Sequence, residues 1–232
     1  MSKAIPGVDS SFGQALPNSQ LWEEFANYNI KGKKIDILPP HLIGANTGTG
    51  STGGAYQSFY FDSGADAAST SRLTQTFLAL QDESDVTYIP WNKKMLILIS
   101  AHLTTTDANQ VAYYGLTEAD AHATLSAPGI RISIANLAIS GDTYGASGDT
   151  VNLSTNLVAD KVSWIAIYHD PTVPKIDWYV NWVYKASQTT SAKIPQAAGS
   201  ATGYFVASLT NGATASARRG WVHGGTSILV KA

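Results

Sequence analysis

The sequence predicts an all-β protein whose strands form one antiparallel β-sandwich, and three observations lead to this fold class. Short runs rich in β-branched and aromatic residues recur along most of the chain, with turn-forming residues between them. Charged residues make up only 14% of the sequence, so good formers of exposed helices are scarce. No sequence repeat of about 20–50 residues is present, which argues against solenoids and propellers. We therefore expect ten or more strands arranged in two packed sheets.

The chain divides into three predicted segments. Residues 1–19 show no hydrophobic periodicity and contain several Pro and Gly, which predicts an extended arm. Residues 20–55 combine the stretch LWEEFANY, whose apolar residues share one helical face, with the run GANTGTGSTGG. These features predict a short helix followed by a flexible Gly/Thr-rich linker. Residues 56–232 contain no boundary and are expected to form a single β-sandwich domain.

The sandwich segment contains a series of runs with strand character. A short helix over residues 117–123 is also expected, because TEAD resembles a capping box. The run MLILISAHL is apolar on both faces and too short to span a membrane, which predicts a fully buried strand. The predicted strands are Gln57–Phe61, Leu73–Leu80, Met95–Leu103, Val111–Tyr114, Ile130–Ala138, Val151–Leu157, Val162–His169, Ile176–Ala186, Gly203–Leu209 and Ser227–Lys231.

Two aromatic runs in the middle of the domain predict a long central hairpin. In VSWIAIYHD, the aromatic residues Trp164 and Tyr168 share one face of a strand. After the loop DPTVPK, every second residue of IDWYVNWVY is apolar or aromatic, which predicts one strand with a continuous aromatic face. These Trp and Tyr side chains are expected to anchor the core, because each buries a large area.

Composition excludes several functional classes. The 15 Lys and Arg nearly balance the 17 Asp and Glu, and the net charge of −2 makes nucleic acid an unsuitable partner. The absence of cysteine excludes disulfides and thiolate metal sites. No apolar run reaches about 18 residues, so no membrane insertion is expected. The first residues lack the apolar core of a signal peptide, which predicts synthesis in the cytoplasm without an export signal.

Motifs that would indicate an enzyme are weak. A glycoside hydrolase needs two carboxylates about 5–9 Å apart, and no Glu falls in a predicted strand. His169 and Asp170, with Asp177 on the following strand, could form an acid–base or metal cluster. The alternative is that His169 simply ends a strand and bonds to the next turn. The run Gly48–Gly53 matches G-x-G-x-x-G but lacks the strand and helix that a dinucleotide site needs. We predict no catalytic residue and no cofactor.

Candidate binding residues are aromatic, acidic and basic side chains near turns. Exposed aromatic rings could stack against sugars or mark an interface between subunits, and they could equally be core residues. The candidates of this kind are Tyr113, Tyr144, Tyr179 and Trp221.

Two further clusters are candidates for ion binding or assembly. The oxygen-rich loop GDTYGASGD places Asp142 near Asp149, which makes a weak calcium candidate, although an ordinary turn explains the loop as well. Arg218 and Arg219 form the only pair of adjacent arginines, and we expect them to make ion pairs between subunits. A bound carboxylate or phosphate is the alternative role for this pair.

From about Tyr88 to its last residue, the chain resembles the jelly-roll or concanavalin-like sandwiches of phage and archaeal-virus decoration, fibre and tail proteins. The segments that carry the resemblance are IPWNKKMLILISAHL, VAYYGLTEAD, VSWIAIYHD, IDWYVNW and GGTSILVKA. The resemblance implies a non-catalytic virion structural protein, either a capsid-decoration protein or a fibre or receptor-binding component. Such a protein would be made in the host cytoplasm, assemble as a homo-oligomer such as a homotrimer, and contact other virion proteins. Residues 1–19 would tie the subunits together.

Two alternatives remain open at this point. The first is a lectin-like module that binds carbohydrate, such as a host-surface glycan, through exposed Tyr and Trp together with Asp and Asn from loops. The second is a polysaccharide-active enzyme that uses His169, Asp170 and Asp177.

Overall fold

The computed structural model describes residues 33–36, 43–55, 58–76, 88–104, 110–119, 124–200, 202–212, 217–223 and 226–230. Within them, strands form two antiparallel sheets, one of nine strands and one of seven, so the predicted all-β sandwich is confirmed. The strands are β1 (Lys33–Asp36), β2 (Ile43–Thr47), β3 (Ser51–Ala55), β4 (Ser58–Asp62), β5 (Thr70–Thr76), β6 (Met95–Leu103), β7 (Val111–Thr117), β8 (Gly129–Ala135), β9 (Ala138–Tyr144), β10 (Gly148–Asn156), β11 (Ser163–Asp170), β12 (Lys175–Val180), β13 (Val183–Gln188), β14 (Tyr204–Thr210), β15 (Arg219–His223) and β16 (Ser227–Val230).

The order of the strands places most neighbours far apart in the chain. The nine-stranded sheet runs β13-β12-β11-β6-β15-β4-β3, and β16 lies between β6 and β1 in the same sheet. The seven-stranded sheet runs β10-β9-β8-β7-β14-β5-β2. Strands β13 and β10 are the edges on one side of the sandwich, and β3 and β2 are the edges on the other.

The two sheets pack through their apolar inner faces. The middle of β6 contributes Ile97 and Ile99, the middle of β8 contributes Ile130 and Ile132, and Trp178 of β12 fills the space between them. All five side chains are fully buried. Burial of each such aliphatic side chain stabilises the fold by roughly 1.5–3 kcal/mol, so this interior accounts for much of the stability.

The predicted long strand Ile176–Ala186 is wrong, because the chain reverses in the middle of it. Asn181 and Trp182 have φ angles of +48° and +68°, and they form a two-residue turn between β12 and β13. Two consecutive left-handed residues match the right-handed twist of a hairpin. The alternating pattern continues through the turn, so periodicity alone does not reveal it. The pairing of β11 with β12 does form the predicted central hairpin.

The aromatic residues of β11 do not anchor the core. Ile165 and Ile167 point inward, whereas Trp164 and Tyr168 lie on the outer face of the nine-stranded sheet. There Tyr168 packs in a second, smaller apolar cluster with Leu98. Both faces of β11 therefore carry apolar side chains, and the prediction took the wrong one as the interior.

The Gly/Thr-rich run is structured as strands rather than as a flexible linker. Its residues form β2 and β3, with a turn at residues 48–50 between them. Among the described strands, β2 pairs with β5 alone and β3 with β4 alone. Short, polar, glycine-containing strands suit the edges of sheets, where they limit pairing with other chains.

Several sequence-based expectations lie outside the described residues. The arm over residues 1–19 and the helix within LWEEFANY are among them, and so is most of the helix expected over residues 117–123. Thr117 is the last residue of β7, and its hydroxyl accepts a hydrogen bond from the Ala119 amide at 3.1 Å. No helix in the described part of the chain is long and apolar enough to cross a membrane.

Candidate functional site

The site is built on β8 and β9, whose side chains alternate between the core and the outer face of the seven-stranded sheet. Arg131 lies between Ile130 and Ile132, which face the core, so its side chain points away from the interior. The register pairs Arg131 with Asp142 of β9. Opposite residues of an antiparallel pair have Cβ atoms about 4.5–5.5 Å apart, so strand pairing alone brings these two charges together.

Arg131 and Asp142 form an ion pair that is shielded from solvent. Arg131 Nε donates to Asp142 Oδ2 at 3.1 Å, and the two side chains are 4% and 10% exposed. The hydroxyls of Ser133 and Thr150 each donate to Asp142 Oδ1 at 3.0 Å. Asp142 therefore accepts three hydrogen bonds from side chains of β8 and β10, which fix the position of its carboxylate.

Tyr113 of β7 lies against the guanidinium group. The Arg131 Cζ atom lies 3.7 Å from the centre of the Tyr113 ring, which is the geometry of a cation–π contact. Burial raises the pKa of the Tyr113 phenol, and the nearby Arg131 charge opposes the rise. Burial also lowers the pKa of Arg131, while Asp142 raises it. Burial thus favours the neutral phenol, whereas the neighbouring Asp142 carboxylate favours the charged guanidinium.

Gly115 allows β7 to approach Arg131 closely. The register pairs the two residues, and a Cβ atom at position 115 would lie 2.4 Å from both Cα and Cβ of Arg131. Any larger residue at this position would push β7 away from β8. Gly115, Arg131, Asp142 and Thr150 are therefore paired in sequence across β7, β8, β9 and β10.

Tyr113, Arg131, Asp142 and Thr150 line an open groove with a volume of about 620 Å³, within the usual size range of small-molecule sites. Tyr144 and Asp149 also line it. Asp149 Oδ2 accepts a hydrogen bond from Gln188 Nε2 at 2.5 Å, and the Lys193 ammonium donates to the Gly148 carbonyl at 2.6 Å. The described lining residues are Val111, Tyr113, Thr124, Leu125, Arg131, Ser133, Ala135, Ala138, Ser140, Asp142, Thr143, Tyr144, Gly148, Asp149 and Thr150.

Four of the predicted site residues meet in this groove, namely Tyr113, Tyr144, Asp142 and Asp149. Asp142 and Asp149 were singled out as weak calcium ligands, and both accept hydrogen bonds from protein donors instead. Within the described ranges, no group of three or more His, Cys, Asp or Glu side chains could hold a metal ion. The groove therefore offers charged and hydroxyl groups rather than a ligand set for a cation.

The other two predicted aromatics lie on the outer face of the opposite sheet. Tyr179 is 6% exposed and contacts the ring of Tyr184 edge-on. Trp221 stacks on His102 with ring centres 4.1 Å apart, and His102 Nδ1 lies 3.0 Å from His223 Nε2. Burial lowers the pKa of both histidines. Neither aromatic residue borders the groove.

Arg219 makes its contacts within the chain. Its guanidinium nitrogen Nη2 lies 3.1 Å from Asp62 Oδ2, and its Cζ lies 4.4 Å from the centre of the Tyr60 ring. The Arg218 amide donates to Ser63 Oγ at 3.1 Å. Arg219 was expected to form an ion pair between subunits, and it forms one with Asp62 of its own chain.

His169, Asp170 and Asp177 do not form one cluster. His169 is fully buried on the core side of β11, where its Nε2 lies 2.8 Å from the Pro195 carbonyl oxygen. Asp170 pairs with Lys94 at 2.8 Å, and Asp177 pairs with Lys175 at the same distance. Asp177 is opposite Tyr168 in the register, on the outer face of the sheet, so the sheet separates it from His169.

Sequence reasoning did not single out Arg131, Ser133 or Thr150. The run GIRISIA contains the signal that would have identified the first of them. A charged residue flanked on both sides by buried Ile in a strand must lie on the opposite face and needs a partner there. Which strand supplies that partner depends on the register, and the register is not visible in one sequence.

The chain shares its fold with solved structures, although no protein-family model and no curated protein matches it. It is similar to a protein of unknown function from Shewanella oneidensis MR-1, with a TM-score of 0.54 and 13% identity over 82% of this chain and 79% of that one. Peanut lectin superposes with a TM-score of 0.53 and 10% identity over 85% of this chain and 97% of the lectin. The carbohydrate recognition domain of Emp47p superposes with a TM-score of 0.50 and 8% identity over 81% of this chain and 88% of that domain.

Identities this low show the fold alone. The fold is a jelly-roll or concanavalin-like β-sandwich of the lectin type, as the sequence resemblance implied. The viral part of that resemblance has no counterpart among these structures and stays a prediction.

Proposed function

We propose that the protein is a non-catalytic carbohydrate-binding module, and that its ligand lies in the groove on the outer face of β7–β10. The observation that carries the proposal is the convergence of an ion pair, several hydroxyls and two tyrosines on one groove. A small number of polar groups placed in a concave site is the usual construction of a small-molecule site.

The polar groups in the groove suit sugar hydroxyls. Each sugar hydroxyl can donate one hydrogen bond and accept others, so it fits a surface that offers both functions side by side. Asp142 supplies an acceptor, and Ser133 and Ser140 supply hydroxyls on the adjoining strands. Arg131 lies beside Asp142 and holds its carboxylate in place beneath these hydroxyls.

Tyr144 provides the aromatic surface of the groove. It is half-buried and lies opposite Gly148, a residue without a side chain. The apolar face of a pyranose ring can pack against such an aromatic ring and remove it from water. One face of the Tyr113 ring is already covered by Arg131, so Tyr113 contributes more to holding Arg131 in place.

The fold and the state of the carboxylates also support this proposal. Two of the similar structures are named as a lectin and as a carbohydrate recognition domain, although shared fold alone does not establish function. A glycosidase needs one carboxyl group held as an acid and another left available. In the groove, both Asp142 and Asp149 are held as acceptors by neighbouring donors, which favours binding without turnover.

Glycan-array screening followed by calorimetry tests the proposal. Replacing Tyr144 with Ala should weaken binding by about tenfold, because the sugar loses its stacking partner. Tyr184→Ala is the matched control, since Tyr184 is 52% exposed on the other sheet and should not affect affinity. Absence of binding to every glycan would overturn the function. Loss of binding in Tyr184→Ala with full binding in Tyr144→Ala would overturn the site.

The virion role is the other function that the sequence predicts. Homotrimer formation, contacts with other virion proteins and location in the virion belong to that hypothesis, and the fold comparisons give it no support. Light scattering on the full chain tests its assembly component. A stable trimer would support the assembly component of the virion hypothesis, which is compatible with glycan binding.

A further inference from the structure

The charge on Arg131 is compensated by Asp142. Among the described residues that line the groove, Arg131 is the one cation, and the Asp142 carboxylate lies directly against it. Asp149 also lines the groove, but its carboxylate accepts a hydrogen bond from Gln188 of the opposite sheet. The charge of the Arg131 guanidinium is therefore already matched by one carboxylate within the groove.

We propose that the groove selects neutral, hydroxyl-rich glycans and rejects acidic ones such as sialylated or uronic-acid-containing chains. This inference rests on the proposed carbohydrate-binding function and specifies its ligand class. It identifies Asp142 as the residue that determines specificity, because Asp142 decides whether the Arg131 charge is available to a ligand.

The physical reason is competition for the guanidinium group. An acidic sugar that paired with Arg131 would have to displace Asp142 or lie beside it. Displacement would leave a buried carboxylate without its cation, which is strongly unfavourable. Placement beside Asp142 would bring two negative charges together in a shielded site. A neutral sugar avoids both problems, because it adds hydrogen bonds to the existing pair without breaking it.

The ring of Tyr113 and the hydroxyls of Ser133 and Thr150 hold the pair in this arrangement. Tyr113 covers one face of the guanidinium, and the two hydroxyls fix the Asp142 carboxylate from the other side. The pair is therefore a fixed part of the groove floor, and its orientation does not depend on a ligand.

Matched pairs of glycans test the inference directly. The probes are lactose with 3′-sialyllactose, and galactan oligosaccharides with oligogalacturonates, measured on the full-length protein at constant ionic strength. We expect the wild-type protein to bind the neutral member of a recognised pair about tenfold more tightly than the acidic member. Asp142→Asn should reduce that ratio by about tenfold or reverse it, because it removes the negative charge that an acidic sugar would meet beside Arg131.

Asp149→Asn is the charge-matched comparison, since it removes a negative charge that faces Gln188 of the opposite sheet and leaves the Arg131–Asp142 pair unchanged. Its effect on the ratio should be less than about threefold. Arg131→Gln provides a second variant in case Asp142→Asn does not fold, and it should strengthen the preference for the neutral member.

The outcomes separate the two proposals. Wild-type preference for the acidic member, or equal shifts in Asp142→Asn and Asp149→Asn, would overturn the specificity inference while glycan binding stands. Absence of binding to either member of both pairs, and to the full glycan array, would overturn the proposed function itself.

Discussion

Gly141 of β9 faces the indole of Trp178 of β12 across the sandwich, so closely that a Cβ atom at position 141 would lie 2.3 Å from Trp178 Cε2. Trp178 is fully buried and cannot move aside into solvent. The adjacent residue, Asp142, lies on the opposite face of the same strand and belongs to the groove. The position of the groove is therefore fixed by packing in the core directly beneath it.

Replacing Gly141 with Ala should destabilise the protein by about 1–3 kcal/mol, because the added methyl group overpacks the core against Trp178. The free energy of unfolding measured by urea denaturation checks this. Ser140→Ala is the control from the same strand, on the outer face, and should change stability by no more than about 0.5 kcal/mol. Equal stability of Gly141→Ala and the wild-type protein would show that Trp178 can shift.

The turn at Asn181 makes a second stability prediction. Asn181 has a left-handed backbone, and its Oδ1 accepts a hydrogen bond from the Trp164 amide at 2.9 Å. Asn181→Ala should lower the free energy of unfolding by about 1–2 kcal/mol, because the substitution removes this acceptor and alanine tolerates a positive φ less well than asparagine. Asn181→Asp keeps an acceptor and should cost less than Ala. Thermal unfolding of the two variants would contradict the argument if Asp were the more damaging residue.

His169 makes the stability of the protein depend on pH. Burial lowers its pKa from the ordinary 6.5 to about 4, against the raising effect of its bonds to the Pro195 and Lys93 backbone. Between these two values, the unfolded chain binds a proton that the folded protein does not bind. The free energy of unfolding should therefore fall by about 3 kcal/mol as the pH drops from 6.5 to 4.

Chemical denaturation at several pH values, on the wild-type protein and on His169→Gln, measures this contribution. The glutamine amide can still donate to the Pro195 carbonyl but does not titrate in this range. The variant should lose less stability than the wild-type protein between pH 6.5 and 4, and parallel curves would refute the assignment.

Asp170 affects the stability of the protein at lower pH. Burial raises its pKa, but hydrogen bonds from Lys94 and Thr172 outweigh this effect and lower it to about 2. Its contribution is lost only below its ordinary pKa of 3.8.

Arg219 should act within one subunit rather than between subunits. Its side chain is 43% exposed, so the ion pair with Asp62 is worth at most about 1 kcal/mol. Arg219→Ala should reduce stability by that order and leave the molar mass in light scattering unchanged. Combining it with Asp62→Asn should add little further loss, because both changes break the same pair. A lower molar mass for Arg219→Ala would instead restore the role in assembly.

The run Met95–Leu103, predicted to be a strand buried on both faces, has the same bounds in the structure and is buried along nearly its whole length. Prediction failed in the run that ends at Ala186, because the turn at Asn181 and Trp182 preserves the period-2 pattern while reversing the chain. A tight turn of this type depends on backbone angles that the pattern does not encode.

The candidate site was only partly predictable for a related reason. Tyr113 and Tyr144 were predicted as aromatic residues near turns, and Asp142 and Asp149 as acids of one oxygen-rich loop. Their convergence depends on the pairing of β7, β8, β9 and β10, which is a property of the register. Arg131 contacts several of these residues but lies within strand β8, so proximity to a turn does not identify it.

The position of β16 has a consequence for synthesis of the protein. This strand lies between β1 and β6, so residues 33–36 and 227–230 are neighbours in the finished sheet. The ribosome makes the first of these segments long before the second. Throughout that interval, β1 has no strand to join and part of β6 keeps an open backbone edge, which is a site where strands of other chains can pair. Pairing at this edge of β6 is therefore completed only after residues 227–230 have been synthesised.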